Sequence, residues 1–130
     1  MPKVFITKEF SFEAAHHLLN YDGACANVHG HSYKLKVTVS GNIDPANTEY
    51  ANDCMIMDFK DLNKLVMNHI IHTHDHADLN DLYSNPTAEI MVIGIFNTIQ
   101  YLLPKDVKLE CVKLWETATS YAEYRGDSHE

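Results

Sequence analysis

Nothing in the 130-residue chain approaches the run of about 18 apolar residues that a membrane-spanning helix requires, so no membrane span is expected. Met1 to Phe10 alternates instead of forming an apolar block, which excludes a signal peptide and makes the cytoplasm the default location. Basic residues are scarce: ten against eighteen acidic ones, a formal charge of −8. They are also scattered, whereas binding a phosphate backbone needs clustered Lys and Arg, so no nucleic acid partner is expected. Cysteine is limited to Cys25, Cys54 and Cys111. An odd, widely spaced set without a C-x-x-C excludes a disulfide framework and leaves Cys54 and Cys111 as small hydrophobes. Internal repeats, low-complexity segments and linkers are missing too. The length therefore fits one domain, residues 1–130, with one hydrophobic core.

What is present is orderly patterning. In residues 3–16 Val4, Ile6, Phe10, Phe12 and Ala14 share one parity. In 31–40 His31, Tyr33, Leu35, Val37 and Val39 alternate with Ser32, Lys34, Lys36, Thr38 and Ser40. Both segments predict half-buried antiparallel strands. A turn-rich stretch follows from Gly41 to about Asp53. Asp58 is placed to cap a helix over about 59–71, whose apolar face would be Phe59, Leu62, Leu65, Val66 and Ile70. Residues 72–86, rich in His and Asp, read as a loop. Asn85-Pro86-Thr87 opens a second helix that Pro104 ends. Ile90, Met91, Val92, Ile93, Ile95 and Phe96 make that helix apolar nearly all round, which calls for burial on every side, in part by another subunit. Residues 107–116 and 119–125 read as a closing strand pair. Strand, strand, helix, helix, strand, strand predicts an α+β layer structure with helices on one face of an antiparallel sheet.

Nine histidines are many for this length, and they cluster. His29-Gly30-His31 is an H-x-H pair; on an extended chain residues i and i+2 project to one side, roughly 6.6 Å apart. Gly30 leaves space between them. His16 shares the parity of Phe10, Phe12 and Ala14, so antiparallel pairing would bring it to the same end of the same face. Three neutral imidazole nitrogens with one open position are the pattern of a catalytic zinc; the plain alternative is ordinary histidines at strand ends. His17 points to the opposite face. The second cluster, His69, His72, His74, Asp75 and His76, admits a second metal site, a solvated polar loop, or an acid–base pair in which Asp75 orients His76. Cys25, four residues before His29, is either an inert buried thiol or a thiol made acidic by a neighbouring cation.

Several of these residues fall in ordered motifs: Phe12-Glu13-Ala14-Ala15-His16, Cys25-Ala26-Asn27-Val28-His29-Gly30-His31, Asp58-Phe59, Asp75-His76-Ala77-Asp78-Leu79-Asn80, Asn85-Pro86-Thr87-Ala88-Glu89 and Trp115-Glu116-Thr117. In this order, over about residues 5–125, the chain resembles the 6-pyruvoyl-tetrahydropterin synthase superfamily. The C-x-x-x-H-G-H spacing is similar to its 6-carboxytetrahydropterin synthase branch, of the queuosine pathway. The resemblance implies a T-fold, a four-stranded sheet with two helices that closes into a barrel as a homo-oligomer, usually a hexamer built from two trimers. It implies Zn2+ on His16, His29 and His31, and 7,8-dihydroneopterin triphosphate as substrate. Cys25 is implied as the base, His76 with Asp75 as the acid–base group, and Glu116 as the carboxylate that anchors the pterin. Thr87 and Glu89 lie either near the site from a neighbouring subunit or in helix capping and dipole pairing. Two departures stand out. The segment between Pro45 and Asp58 is longer than in compact relatives, and His74 stands where relatives carry an apolar residue, which leaves His74 as a second acid–base candidate. The rival activities are a pyruvoyl-type synthase that loses triphosphate without carbon–carbon cleavage, a non-catalytic zinc-binding protein, and a zinc hydrolase, for which no H-E-x-x-H is present.

Overall fold

The structure is a computed structural model that describes residues 1–21, Gly23 and residues 27–127. Four strands, β1 (Lys3–His16), β2 (His29–Asn42), β3 (Lys108–Thr117) and β4 (Ser120–Tyr124), form one antiparallel sheet in the order β1-β2-β3-β4. Two helical segments separate β2 from β3: α1 (Phe59–Val66), prolonged by a π turn (Met67–Ile71) and a last α turn (His72–His74), and α2 (Ala88–Leu102). This is the α+β T-fold arrangement.

The alternation read from the sequence explains the packing. Phe10, Phe12 and Ala14 of β1, Tyr33, Leu35, Val37 and Val39 of β2 and Leu109, Val112 and Leu114 of β3 turn inward. They meet Leu62, Val66 and Ile70 of the first helical segment and Met91, Val92, Ile95, Phe96 and Ile99 of α2 in one core. Each Val, Leu, Ile, Phe or Met side chain among them, fully buried, contributes about 1.5–3 kcal/mol relative to exposure. Leu109 and Val112 both face inward although they differ in parity. The β2–β3 register shifts between Thr38 and Val39, where Glu110 is the extra residue. Its carboxylate accepts from Ser40 Oγ (2.6 Å) and pairs with Lys3 Nζ (2.8 Å), which explains why Ser40, expected to face out, is buried.

Several expectations need correction. The stretch 72–86 is not simply a loop. The helix runs on to His74, and Leu79–Asp81 forms a 3-10 turn. The π turn adds one residue to a helical turn, which rotates His74 into the core. Phe59, placed on the apolar face, is exposed, at the first residue of α1. Within one chain α2 buries only one face; Ile90 and Ile93 are exposed. Cys111 is buried as expected of a small hydrophobe, but Cys54 is exposed, in the 3-10 turn Ala51–Cys54 between β2 and α1. The caps stand as read: Asp58 Oδ1 accepts from Lys60 N (2.8 Å) and Thr87 Oγ1 from Ile90 N (3.2 Å). No helix among the described residues is long and apolar enough to cross a membrane.

Candidate active site

Strand register assembles the histidines. In the β1–β2 ladder His16 lies opposite His29, and Ala14 opposite His31. All three imidazoles therefore reach the same end of the inward face, and a ligating nitrogen from each lies within 4.8 Å of the others. Two of the rings are oriented from behind. His16 Nδ1 is 3.0 Å from the Pro86 carbonyl oxygen, and His29 Nδ1 is 2.6 Å from that of Asn27. A carbonyl only accepts, so each Nδ1 carries the proton and each Nε2 presents a lone pair. Those two Nε2 atoms face each other at 3.2 Å. With no proton between them the contact is repulsive unless a cation occupies the angle. Ligands of a tetrahedral zinc at about 2.0–2.1 Å stand about 3.3–3.4 Å apart, so the spacing is the right one. His31 Nε2 supplies the third observation: it is buried with no hydrogen-bond partner. The group fits a divalent metal such as Zn2+.

Burial pushes the His16 pKa down; the Glu116 carboxylate opposes this, and the His31 and His29 rings reinforce it. The net result is a neutral imidazole, the form that ligates. Burial also raises the Tyr33 phenol, whose hydroxyl lies 3.1 Å from His16 Nδ1 and braces the ring from a second side.

Glu116, near the end of β3, brings Oε1 to 3.3 Å from His16 Nε2 and 3.6 Å from His31 Nε2. The same residue borders a cavity of about 430 Å³ with Ala88, Glu89, Ser120 and Tyr121. It thus stands between the triad and an open space. Glu89 shares that cavity from the same chain, while the Thr87 hydroxyl is used in capping α2.

Asp75 and His76 sit beside the edge of β1. Asp75 Oδ1 accepts from Glu13 N (2.9 Å), and His76 N donates to Glu13 O. Asp75 Oδ2 is 3.6 Å from His76 Nε2, an ion-pair distance rather than a hydrogen bond. His76 and His31 both line a cavity of about 350 Å³, floored by the outward-facing Glu13, Ala15, Gly30 and Ser32. A Cβ at Gly30 would meet nothing closer than the Ala14 oxygen at 3.8 Å, so Gly30 serves by leaving that cavity open rather than by backbone freedom. Cys25 lies outside the described residues.

His74 behaves differently from His76. It is 5% exposed, with Nδ1 2.7 Å from the Ile70 oxygen and Nε2 2.7 Å from the Tyr83 hydroxyl. Burial lowers its pKa, partly offset by the Ile70 carbonyl. The folded chain therefore holds this residue neutral while the unfolded chain protonates it below about pH 6.5. Its contribution to stability is complete above that pH. It falls by up to about 1.4 kcal/mol per pH unit on acidification, until the folded-state pKa is passed. Urea denaturation of the zinc-loaded protein at pH 5 and 7.5 is expected to show this loss, and a His74→Gln chain a flatter dependence.

Sequence reasoning missed the groups behind the ligands: the Pro86 and Asn27 carbonyls, Tyr33, and the Asn80 amide, which accepts from His17 N (2.9 Å) and donates to His17 O (3.1 Å). Asn85 Oδ1 likewise accepts from Leu19 N (3.1 Å). These bonds stitch the 78–86 segment to the exit of β1 and set Pro86 behind His16. The motifs Leu79-Asn80 and Asn85-Pro86 were the signal for the Asn80, Asn85 and Pro86 contacts.

A four-stranded antiparallel sheet with two helices and a three-imidazole metal pocket at the β1–β2 end defines a T-fold protein with a single-metal centre. The 6-pyruvoyl tetrahydropterin synthase family profile matches residues 5–127, and the chain belongs to that family. It is 34% identical to the 6-carboxy-5,6,7,8-tetrahydropterin synthase of Haemophilus influenzae over 92% of this chain and 97% of that protein. It is also 34% identical to the 6-pyruvoyl tetrahydrobiopterin synthase of Pongo abelii over 94% and 91%. Among solved structures, the 6-pyruvoyl tetrahydropterin synthase of Caenorhabditis elegans superposes with a TM-score of 0.82 at 27% identity, covering 98% of both chains. Family and triad together make the chain a zinc-dependent, pterin-processing lyase.

Proposed function

We propose that the chain is a 6-carboxytetrahydropterin synthase, converting 7,8-dihydroneopterin triphosphate and water to 6-carboxytetrahydropterin, acetaldehyde and triphosphate. The observation that carries the lyase chemistry is the convergence of unprotonated imidazole nitrogens from His16 and His29, with His31, on one point. Identity does not choose between the branches, since relatives of both names are 34% identical. Support for the carboxy branch is the C-x-x-x-H-G-H spacing from Cys25 to His31.

His16, His29 and His31 would hold the zinc, which when bound supplies Lewis acidity toward the oxygens of the substrate side chain and toward the charge developing on them. Pro86 and Asn27 keep two of the rings aimed, so no reorientation is needed as that charge builds. Glu116, at the mouth of its cavity, anchors the pterin. A carboxylate accepts two parallel hydrogen bonds from a ring N–H and the exocyclic amine. His76 moves the proton on the side chain, and Asp75, with Oδ2 beside its Nε2, stabilises the imidazolium that results. Cys25 acts as the second base, on the strength of the sequence pattern alone. No external redox cofactor enters the balance.

The proposed assembly is a cytoplasmic homo-oligomer, a hexamer built from two trimers. Its support is the pair of outer sheet strands, β1 and β4, and the apolar Ile90 and Ile93 left uncovered on α2.

Incubation with dihydroneopterin triphosphate is expected to release acetaldehyde and triphosphate in equal amounts, and a chelator to stop both. Triphosphate without acetaldehyde would move the assignment to the pyruvoyl branch. Full turnover after complete zinc removal would end the Lewis-acid role.

A further inference from the structure

His74 and Tyr83 take no part in the chemistry above, yet the buried His74 and the half-buried Tyr83 form a fully satisfied polar pair at the edge of the core. The Ile70 carbonyl, within the π turn, accepts from His74 Nδ1 (2.7 Å) and from Thr73 Oγ1 (2.9 Å). That leaves Nε2 as an acceptor, and the Tyr83 hydroxyl donates to it at 2.7 Å. Burial lowers the imidazole pKa and raises the Tyr83 phenol to about 12, so neither group changes charge near neutrality. The surroundings preserve this state. Phe12 of β1 packs on the His74 ring at 5.5 Å, and α2 presents Gly94, Ile95 and Thr98. The other titratable group bordering the pocket is His69, one turn earlier on the same helix.

The backbone of His74 then carries the turn that displays His76. Asp75 has φ −66° and ψ 128°, His76 has φ +59°, and Ala77 N donates to His74 O at 3.1 Å. This is a type II turn with histidine in the left-handed position that normally takes glycine. Such a residue persists only where the structure around it over-determines the conformation. One side of that constraint is the β1 edge, through Glu13 and Ala15. The other is His74, whose carbonyl closes the turn and whose ring is anchored by Tyr83. Tyr83 is in turn seated against α2 at Gly94, where a Cβ would come within 3.2 Å of its ring.

We propose that the His74–Tyr83 pair is a positioning device that sets the aim of His76, linking α2 to the acid–base turn through Gly94, Tyr83 and the His74 carbonyl. This rests on His76 being the acid–base group. Tyr83→Phe removes one hydroxyl and keeps the ring, and Gly94→Ala crowds that ring without touching the hydrogen bond. In each variant the His76 imidazole Cε1–H resonance, identified by its loss in His76→Asn, is expected to move from its wild-type chemical shift or to split into two environments. The kcat of each should fall about tenfold or more with KM within about twofold, since displacement of a catalytic group by an ångström costs up to about a hundredfold. Zinc content is expected to stay at the wild-type level. His74→Gln, which keeps an acceptor for the Tyr83 hydroxyl, should retain more kcat than His74→Leu. A Tyr83→Phe protein that loses thermal stability but keeps the wild-type His76 resonance and kcat would overturn the proposal and reduce the pair to packing. Full turnover in His76→Asn would instead end the catalytic reading of His76. The NMR response to Tyr83→Phe reads the positioning independently of that result.

Discussion

His31→Ala is expected to lose zinc. The other two rings are held by the Pro86 and Asn27 carbonyls and remain aimed at the same point, but a pair of imidazoles leaves half of a tetrahedron to solvent. Even the groups behind metal ligands are worth about 10–100-fold in affinity, so removing a ligand should exceed about a hundredfold. Competition with a chromophoric chelator measures this directly. The chain should still fold, because His31 lies at the end of β2 while the core centres on Tyr33, Leu35 and Val37. Loss of lyase activity should follow the loss of metal. A His31→Ala protein that still held one equivalent of zinc as tightly as wild type would show that the triad is not the site. Glu116, 3.3 Å from His16, would then be the first residue to suspect as a ligand.

The second large effect concerns His76. Because its backbone is left-handed, His76→Asn is the appropriate substitution: asparagine tolerates that conformation and accepts hydrogen bonds, but does not carry a proton between pH 5 and 9. A positioned general acid or base contributes about 10²–10⁴-fold, and kcat is expected to fall within that range. Zinc content and the far-UV spectrum should not change, since His76 is exposed and not part of the triad. The pH–rate profile should also lose the limb that belongs to the imidazole. Retention of that limb in His76→Asn would move the acid–base role to another group.

The strands and helices were legible because their signals are local. Alternation along β1 and β2, the Asp58 and Thr87 caps and the apolar face at Leu62, Val66 and Ile70 each depend on residues a few positions apart. The π turn was not legible. It is an energetically marginal departure from a helix, stabilised here by the His74 and Thr73 contacts to Ile70, and no local pattern announces it. Its consequence, a histidine turned into the core, is why the His/Asp-rich stretch could not be resolved into an inner and an outer histidine by composition. The exposure of Ile90 and Ile93 was hidden for a related reason: a uniformly apolar helix does not show which side its own chain covers.

For the site, the spacing of His29 and His31 and the parity of His16 come from strand geometry alone, as does the prediction that they share a face. That His16 stands opposite His29 rather than two residues away is a matter of register, which the whole β1–β2 ladder and the core beneath it decide together. Which nitrogen of the His16 and His29 rings faces the metal depends on the carbonyls of Pro86 and Asn27. Pro86 is 70 residues from His16 along the chain, and only the closed loop between α1 and α2 brings its oxygen there. Patterns between near neighbours are written in the order of residues, because backbone geometry repeats every two or every 3.6 positions. The aim of a side chain answers to atoms that are distant in sequence and become neighbours only when the chain has packed.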